Sequence, residues 1–296
     1  MKLKEGLLSC AVALTMLAVA CNDARGPMET RSYHWADSTA HSFLIVDAEL
    51  PSGSGKAAAQ VRSELAGVVD ELLSRITSYE NERYFPAFEG SRDDMDALMG
   101  YYCDSAFAAI ARMSKADADE REKYIMEDTD LSDEEKEEIL ADFPRWEYEF
   151  GLKKIDDTDR YVVFQSMDYI YMGGAHGGVT GLGCLTFSKK DGSRVEDFVD
   201  ASRLQEMQPV LIKGLLEYYS DMGYDTTWDE LKESLFIDDG VLPLPTWPLY
   251  PSEDGLNFVY QQYEIASYAE GMPSFTVPYA DIEPFLTPEA KALLGL

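Results

Sequence analysis

Two β-rich runs joined through glycine constrain the fold of this chain most: RYVVFQSMDYIYM, residues 160–172, and GLGCLTFS, residues 181–188. Their aromatic and β-branched content suits pleated, half-buried strands. The KKDGSR that follows sets Asp191-Gly192 where a tight hairpin turn needs residues tolerant of positive φ. Between the runs lie Gly173, Gly174, His176, Gly177 and Gly178. Such a segment has two readings. Glycine permits positive φ and close backbone approach where strands turn. Alternatively, a glycine-lined concavity flanked by Tyr169, Tyr171 and His176 receives a peptide or sugar on backbone groups and aromatic faces.

The chain before these runs alternates strand and helix signals. HSFLIVDAEL reads as a strand with Phe43, Ile45 and Asp47 on one side. Val61, Leu65, Val68, Leu72 and Ile76 recur at helical spacing, which predicts a helix over 56–77. Leu98, Tyr102, Ala106, Ile110 and Met113 predict another over 93–114. Residues 115–142 hold thirteen Asp or Glu against four Lys or Arg, a solvated helix face. Within them Ser132 and Glu135 form a capping box, and Pro144 closes the helix. A further helix is expected from Pro209, at its first position, to Ser220, with Gly223 ending it. Helices and hairpin strands in this mixture predict an α+β fold: antiparallel sheets packed with a few amphipathic helices, in two interlocking subdomains.

The N-terminus reads as an address. Lys2 and Lys4 precede an apolar run from Leu7 to Val19, and small residues stand before Cys21, a secretory signal over 1–20. Cysteine in that position is what lipoprotein processing requires. Cys21 is therefore the expected lipidation site, with residues 21–32 as its tether; an ordinary cut near Cys21 is the alternative. The expected location is the bacterial cell envelope, outside the cytoplasm, with a lipid anchor as the sole membrane attachment. Loss of the signal takes the net charge from −30 to −31. Such a surface disfavours nucleic acid and favours cationic partners. Cys103 and Cys184 remain as a disulfide candidate, with two buried free thiols the equal alternative.

Recognisable reaction chemistry is absent from the sequence. The three histidines have no zinc spacing, no CxxC is present, and no metal or cofactor is expected. GxSxG is missing. PSGSGK departs from a phosphate-binding loop at Leu50 and Ala57. The Asp128-Asp130-Ser132 series fails as a calcium loop at Asp133 and Ile139. Carboxylates abound, but none is singled out as a glycosidase pair.

Two segments resemble a known family. YMGGAHGGVTGLGCLTFSKKDGSRVEDFV carries a Tyr-x-Gly-Gly-Ala-His-Gly signature at Gly173, Gly174, Ala175, His176 and Gly177. The C-terminal pattern falls on Tyr263, Glu264, Ile265, Ala266, Tyr268, Ala269 and Gly271, followed by a Val-Pro-Tyr. Both are similar to the RsiV/PdaC-type extracytoplasmic domains, found in a lysozyme-responsive anti-sigma factor, beside peptidoglycan deacetylase domains and in stand-alone lipoproteins. The resemblance implies an N-terminal α+β domain over 33–180 and a C-terminal one over 181–296. It implies a binding module without catalytic residues, for a protein or cell-wall glycan ligand, a cationic hydrolase such as lysozyme being the most concrete. Tyr169, Tyr171, Gly173, Gly174, His176, Gly177, Tyr263 and Tyr268 are the candidate contacts. A glycan-acting enzyme and a structural envelope lipoprotein are the alternatives.

Overall fold

A computed structural model describes residues 26–76, 82–173 and 177–296. The N-terminal half runs β1 (Thr30–Ser38), β2 (Ser42–Pro51), α1 (Lys56–Ser74), α2 (Met95–Glu127), α3 (Asp133–Ala141), β3 (Trp146–Asp157) and β4 (Tyr161–Tyr171). It continues through β5 (Val179–Ser188) and β6 (Arg194–Val195). These six strands form one sheet in sequence order. Neighbours are antiparallel except β2 and β3, which run parallel, with α1 to α3 as the crossover between them. The remainder is α4 (Leu204–Asp221), α5 (Trp228–Leu231), a small antiparallel sheet of β7 (Tyr250–Pro251), β8 (Leu256–Val259) and β9 (Ser274–Val277), then α6 (Tyr279–Ile282) and α7 (Pro288–Leu294). The fold is α+β, as expected.

β4 explains how the halves join. Tyr161, Val162, Val163 and Phe164 are all buried. Val162 and Phe164 enter one core with Leu44, Phe150, Leu65 and Leu98. Tyr161 and Val163 enter another with Cys184, Leu211, Phe258 and Tyr260. A strand covered on both faces needs a continuous apolar run, which is why YVVF does not alternate. The sheet is thus a wall common to both cores, and the expected boundary at 180/181 falls inside β5.

That wall also decides between the two cysteine readings in favour of buried free thiols. Cys103 on α2 belongs to one core and Cys184 on β5 to the other, and both thiols are free. Burial raises each thiol pKa to about 12, so neither is a poised nucleophile.

Other departures have local causes. Residues 30–32, read as tether, form the start of β1, and Met28 is buried before it. α2 continues to Glu127 rather than ending near 114. Past the core its apolar stripe lapses, but helix-forming residues and the Lys115–Asp119 and Arg121–Asp117 pairs carry it on. Pro209 lies inside α4 instead of opening it, because the buried stripe of Met207, Leu211 and Leu215 begins earlier. The Ser132–Glu135 capping box is present, and Gly192 takes φ +82° in the β5–β6 turn.

Candidate functional site

The glycine-rich connection leaves β4 after Tyr171 and returns at Val179. Gly173 turns the chain at φ +83° against Phe143, whose ring carbon would stand 2.9 Å from an added Cβ. The Arg121 guanidinium lies over that ring, 3.4 Å from its centroid. Gly174, Ala175 and His176 lie outside the described residues, as does Cys21. On the returning side, a methyl at Gly177 would meet the Tyr268 hydroxyl at 2.7 Å, and one at Gly178 would run into the Tyr169 ring. Tyr268 donates its hydroxyl to the Gly178 carbonyl at 2.8 Å. Glycine here is required because two tyrosines close on the backbone.

The C-terminal segment is held to this place by amide side chains. The outer edge of β5 pairs with β6 only at Thr186 and Phe187. Further up, Thr180 donates its N–H to Gln262 Oε1 at 2.9 Å, and Leu182 donates to Gln261 Oε1 at 3.0 Å. Gln261 Nε2 returns a bond to the Leu182 carbonyl at 2.9 Å. The two glutamines therefore substitute for a missing strand and satisfy an exposed edge. Glu264 fixes the turn that follows, accepting from Gln261 N at 2.7 Å, Thr246 N at 2.6 Å and Thr246 Oγ1 at 2.7 Å. Tyr260, fully buried, donates to the Pro243 carbonyl at 2.7 Å.

These restraints force Tyr263 to φ +65°, a conformation bulky residues avoid, and leave it 53% exposed. Its ring centroid lies 5.8 Å from that of Tyr268, tilted by 35°. Backbone strain of this kind concentrates at functional positions and persists where the surroundings over-determine it. Removal of the determinant should be measurable. Glu264→Ala leaves two N–H donors without their acceptor, and a loss of about 1–3 kcal/mol is expected in a denaturant titration.

Of the sequence-derived candidates, Tyr169, Gly177, Tyr263 and Tyr268 come together from β4, the glycine segment and the C-terminal half. Tyr171 stands one pair further along β4, beside Glu147, as Tyr169 stands beside Glu149. Phe43 and Ile45 complete these two rows on β2. Gly173 faces the other way, toward a cleft of about 420 Å³ lined by His41, Arg121, Phe143, Arg145 and Trp146. Glu147, Glu149, Gln261 and Gln262 were not singled out from sequence; only the Gln-Gln pair just before the C-terminal motif hinted at them. Among the described residues no group of His, Cys, Asp and Glu has the arrangement of a metal site. Aromatic faces, backbone polar groups and carboxylates remain, a composition suited to recognition.

Residues 197–280 match the family model of DUF3298, a protein of unknown function. The DUF3298 match takes in Tyr263, Glu264 and Tyr268, and the glycine segment precedes it. No curated protein matches the chain. A DUF3298 family protein from Pseudomonas aeruginosa PAO1 is similar in structure, with 14% identity and a TM-score of 0.55 over 90% of this chain and 98% of that one. A DUF3298 family member from Bacteroides fragilis NCTC 9343 is similar at 16% identity and a TM-score of 0.60, with the same coverage. At these identities the likeness is one of fold.

Proposed function

We propose that this chain is a non-catalytic binding module of the bacterial cell envelope, lipid-anchored at Cys21, with the tyrosine cluster about Gly177 and Gly178 as its binding centre. One observation carries the reading: Tyr263 is held exposed in a conformation that costs free energy, against a tyrosine that grips the glycine segment. Tyrosine supplies large contact area at low entropic cost, and centres of interfaces are built from such side chains. The adjoining rows Phe43–Glu147–Tyr171 and Ile45–Glu149–Tyr169 alternate carboxylate with apolar surface on a half-exposed sheet face. Without its signal the chain carries a net charge of −31, and such a face steers a cationic partner toward the cluster. The ligand is a protein or a cell-wall glycan, and a cationic hydrolase of the lysozyme kind is the first to try.

Calorimetric titration of residues 22–296 with lysozyme, and separately with muropeptides, tests this. Saturable binding of fixed stoichiometry that survives physiological salt is expected for one of them. Tyr263→Ala should weaken it by about tenfold or more while the melting temperature holds. Binding that salt abolishes, or turnover of the muropeptide, overturns the reading.

A further inference from the structure

The chain enters the fold through a clamp. Lys189, only 3% exposed, donates from Nζ to the Gly26 carbonyl and Asp157 Oδ1, both at 2.6 Å, and to the Thr158 carbonyl at 2.7 Å. Lys154 Nζ donates to the Met28 carbonyl and to Asp157 Oδ2, each at 2.7 Å. Met28 returns its N–H to Asp157 Oδ2 at 2.7 Å, and Ser52 donates to the Glu29 carbonyl at 2.9 Å. Gly26 to Glu29 are thereby fixed against the β3–β4 and β5–β6 turns. The glycine segment lies at the other end of the same strands: Tyr161 pairs with Ser188 at the clamped end and Ile170 with Val179 at the far one. At the rise of a β-strand these ends are about 30 Å apart.

Charge is divided along the same axis. Lys56, Arg160 and Lys190 are exposed at the clamped end, and none forms an ion pair among the described residues. Asp159, Asp191 and Glu289 share a cleft with Arg160 and Lys190, Glu29 lies by Gly26, and with the clamp's own Lys154, Lys189 and Asp157 they leave that end near balance. The run with thirteen acidic residues against four basic, residues 115–142, forms the end of α2 and all of α3. It lies at the far end, where Arg121 and Phe143 meet Gly173.

We infer that the clamped end rests on the bilayer surface and that Gly173, Gly177, Gly178 and the tyrosines beside them point away from it. This rests on the lipid-anchor reading above. If Cys21 bears the lipid, the chain from it to Gly26 reaches about 18 Å at most. A leash shorter than the sheet keeps the clamped end at the headgroups. Charge then decides between lying flat and standing upright, because anionic headgroups repel the acidic α2–α3 end and tolerate the balanced one. The candidate site is held clear of the membrane, where a large ligand can reach it.

The test uses the full chain, isolated with its native processing and reconstituted in phosphatidylethanolamine–phosphatidylglycerol vesicles. Fluorophores are placed singly at Asp159→Cys or Glu137→Cys, both exposed positions, Cys103 and Cys184 being buried. A headgroup-bound quencher is expected to quench the label at 159 strongly and that at 137 weakly. Changing Lys56, Arg160 and Lys190 to Gln should raise quenching at 137. Equal quenching at the two positions, or a reversed order, overturns the orientation alone. Mass spectrometry showing a mature N-terminus without lipid at Cys21 overturns the anchor and the orientation together.

Discussion

Asp157→Ala is expected to destabilise the protein by about 3–5 kcal/mol, read from chemical denaturation. Asp157 and Lys189 are 11% and 3% exposed at their side chains, and the carboxylate also takes Lys154 and the Met28 amide. Removing it strands a buried ammonium that retains only two carbonyl acceptors. The cost is that of the unpaired charge and not of the pair, so Lys189→Met in the same chain should return much of it. The pH dependence has a definite sign. Burial opposes the charge on Asp157, but hydrogen bonds from Lys154, Lys189 and the Met28 amide outweigh it and hold the carboxyl below its ordinary range. The stabilisation is therefore full above about pH 4 and is lost as pH falls through the lowered value. Loss of acid sensitivity in the double variant checks this.

Asp168→Asn should act in the opposite direction, raising stability at pH 7 by about 1–3 kcal/mol. Asp168 pairs with Phe150 on one side and Gly181 on the other, and its Oδ1 would lie 2.5 Å from a Cβ at Gly181. Burial lifts its pKa to about 6, and only its own backbone amide counters that. The folded state therefore binds a proton more tightly than the unfolded chain. Stability from this group is full below about pH 4 and declines as pH rises through 6. The gain from asparagine should be present at pH 7 and vanish by pH 4, a contrast that urea titrations at the two pH values would reveal. An equal effect at both would attribute the change to packing.

The two aspartates show what sequence can and cannot convey. Turn and cap chemistry is local, so Asp191-Gly192, Ser132 with Glu135, and the stripes of α1 and the first half of α2 were legible. Tyr263 and Tyr268 were singled out through the motif that contains them, and Tyr169 through its place beside the glycines. Whether Asp157 or Asp168 would be the paired one was not legible, because Lys189 and the Met28 amide reach Asp157 from distant parts of the chain and only Lys154 is its neighbour in sequence. The Gln261 and Gln262 contacts have no period to detect: an amide imitating a strand edge looks like any polar loop. The parallel pairing of β2 with β3 was equally hidden, since each strand reads the same in either direction. The separation of Cys103 from Cys184 depended on which face of one sheet each occupies.

The sheet common to both cores has a consequence for how the protein comes apart. Loss of either core strips one side of Tyr161–Phe164, and no strand remains to hold the register of the other. Domains joined by a linker melt separately, but here there is no seam along which to melt. The two halves are therefore expected to unfold as one cooperative unit, seen as a single transition in calorimetry.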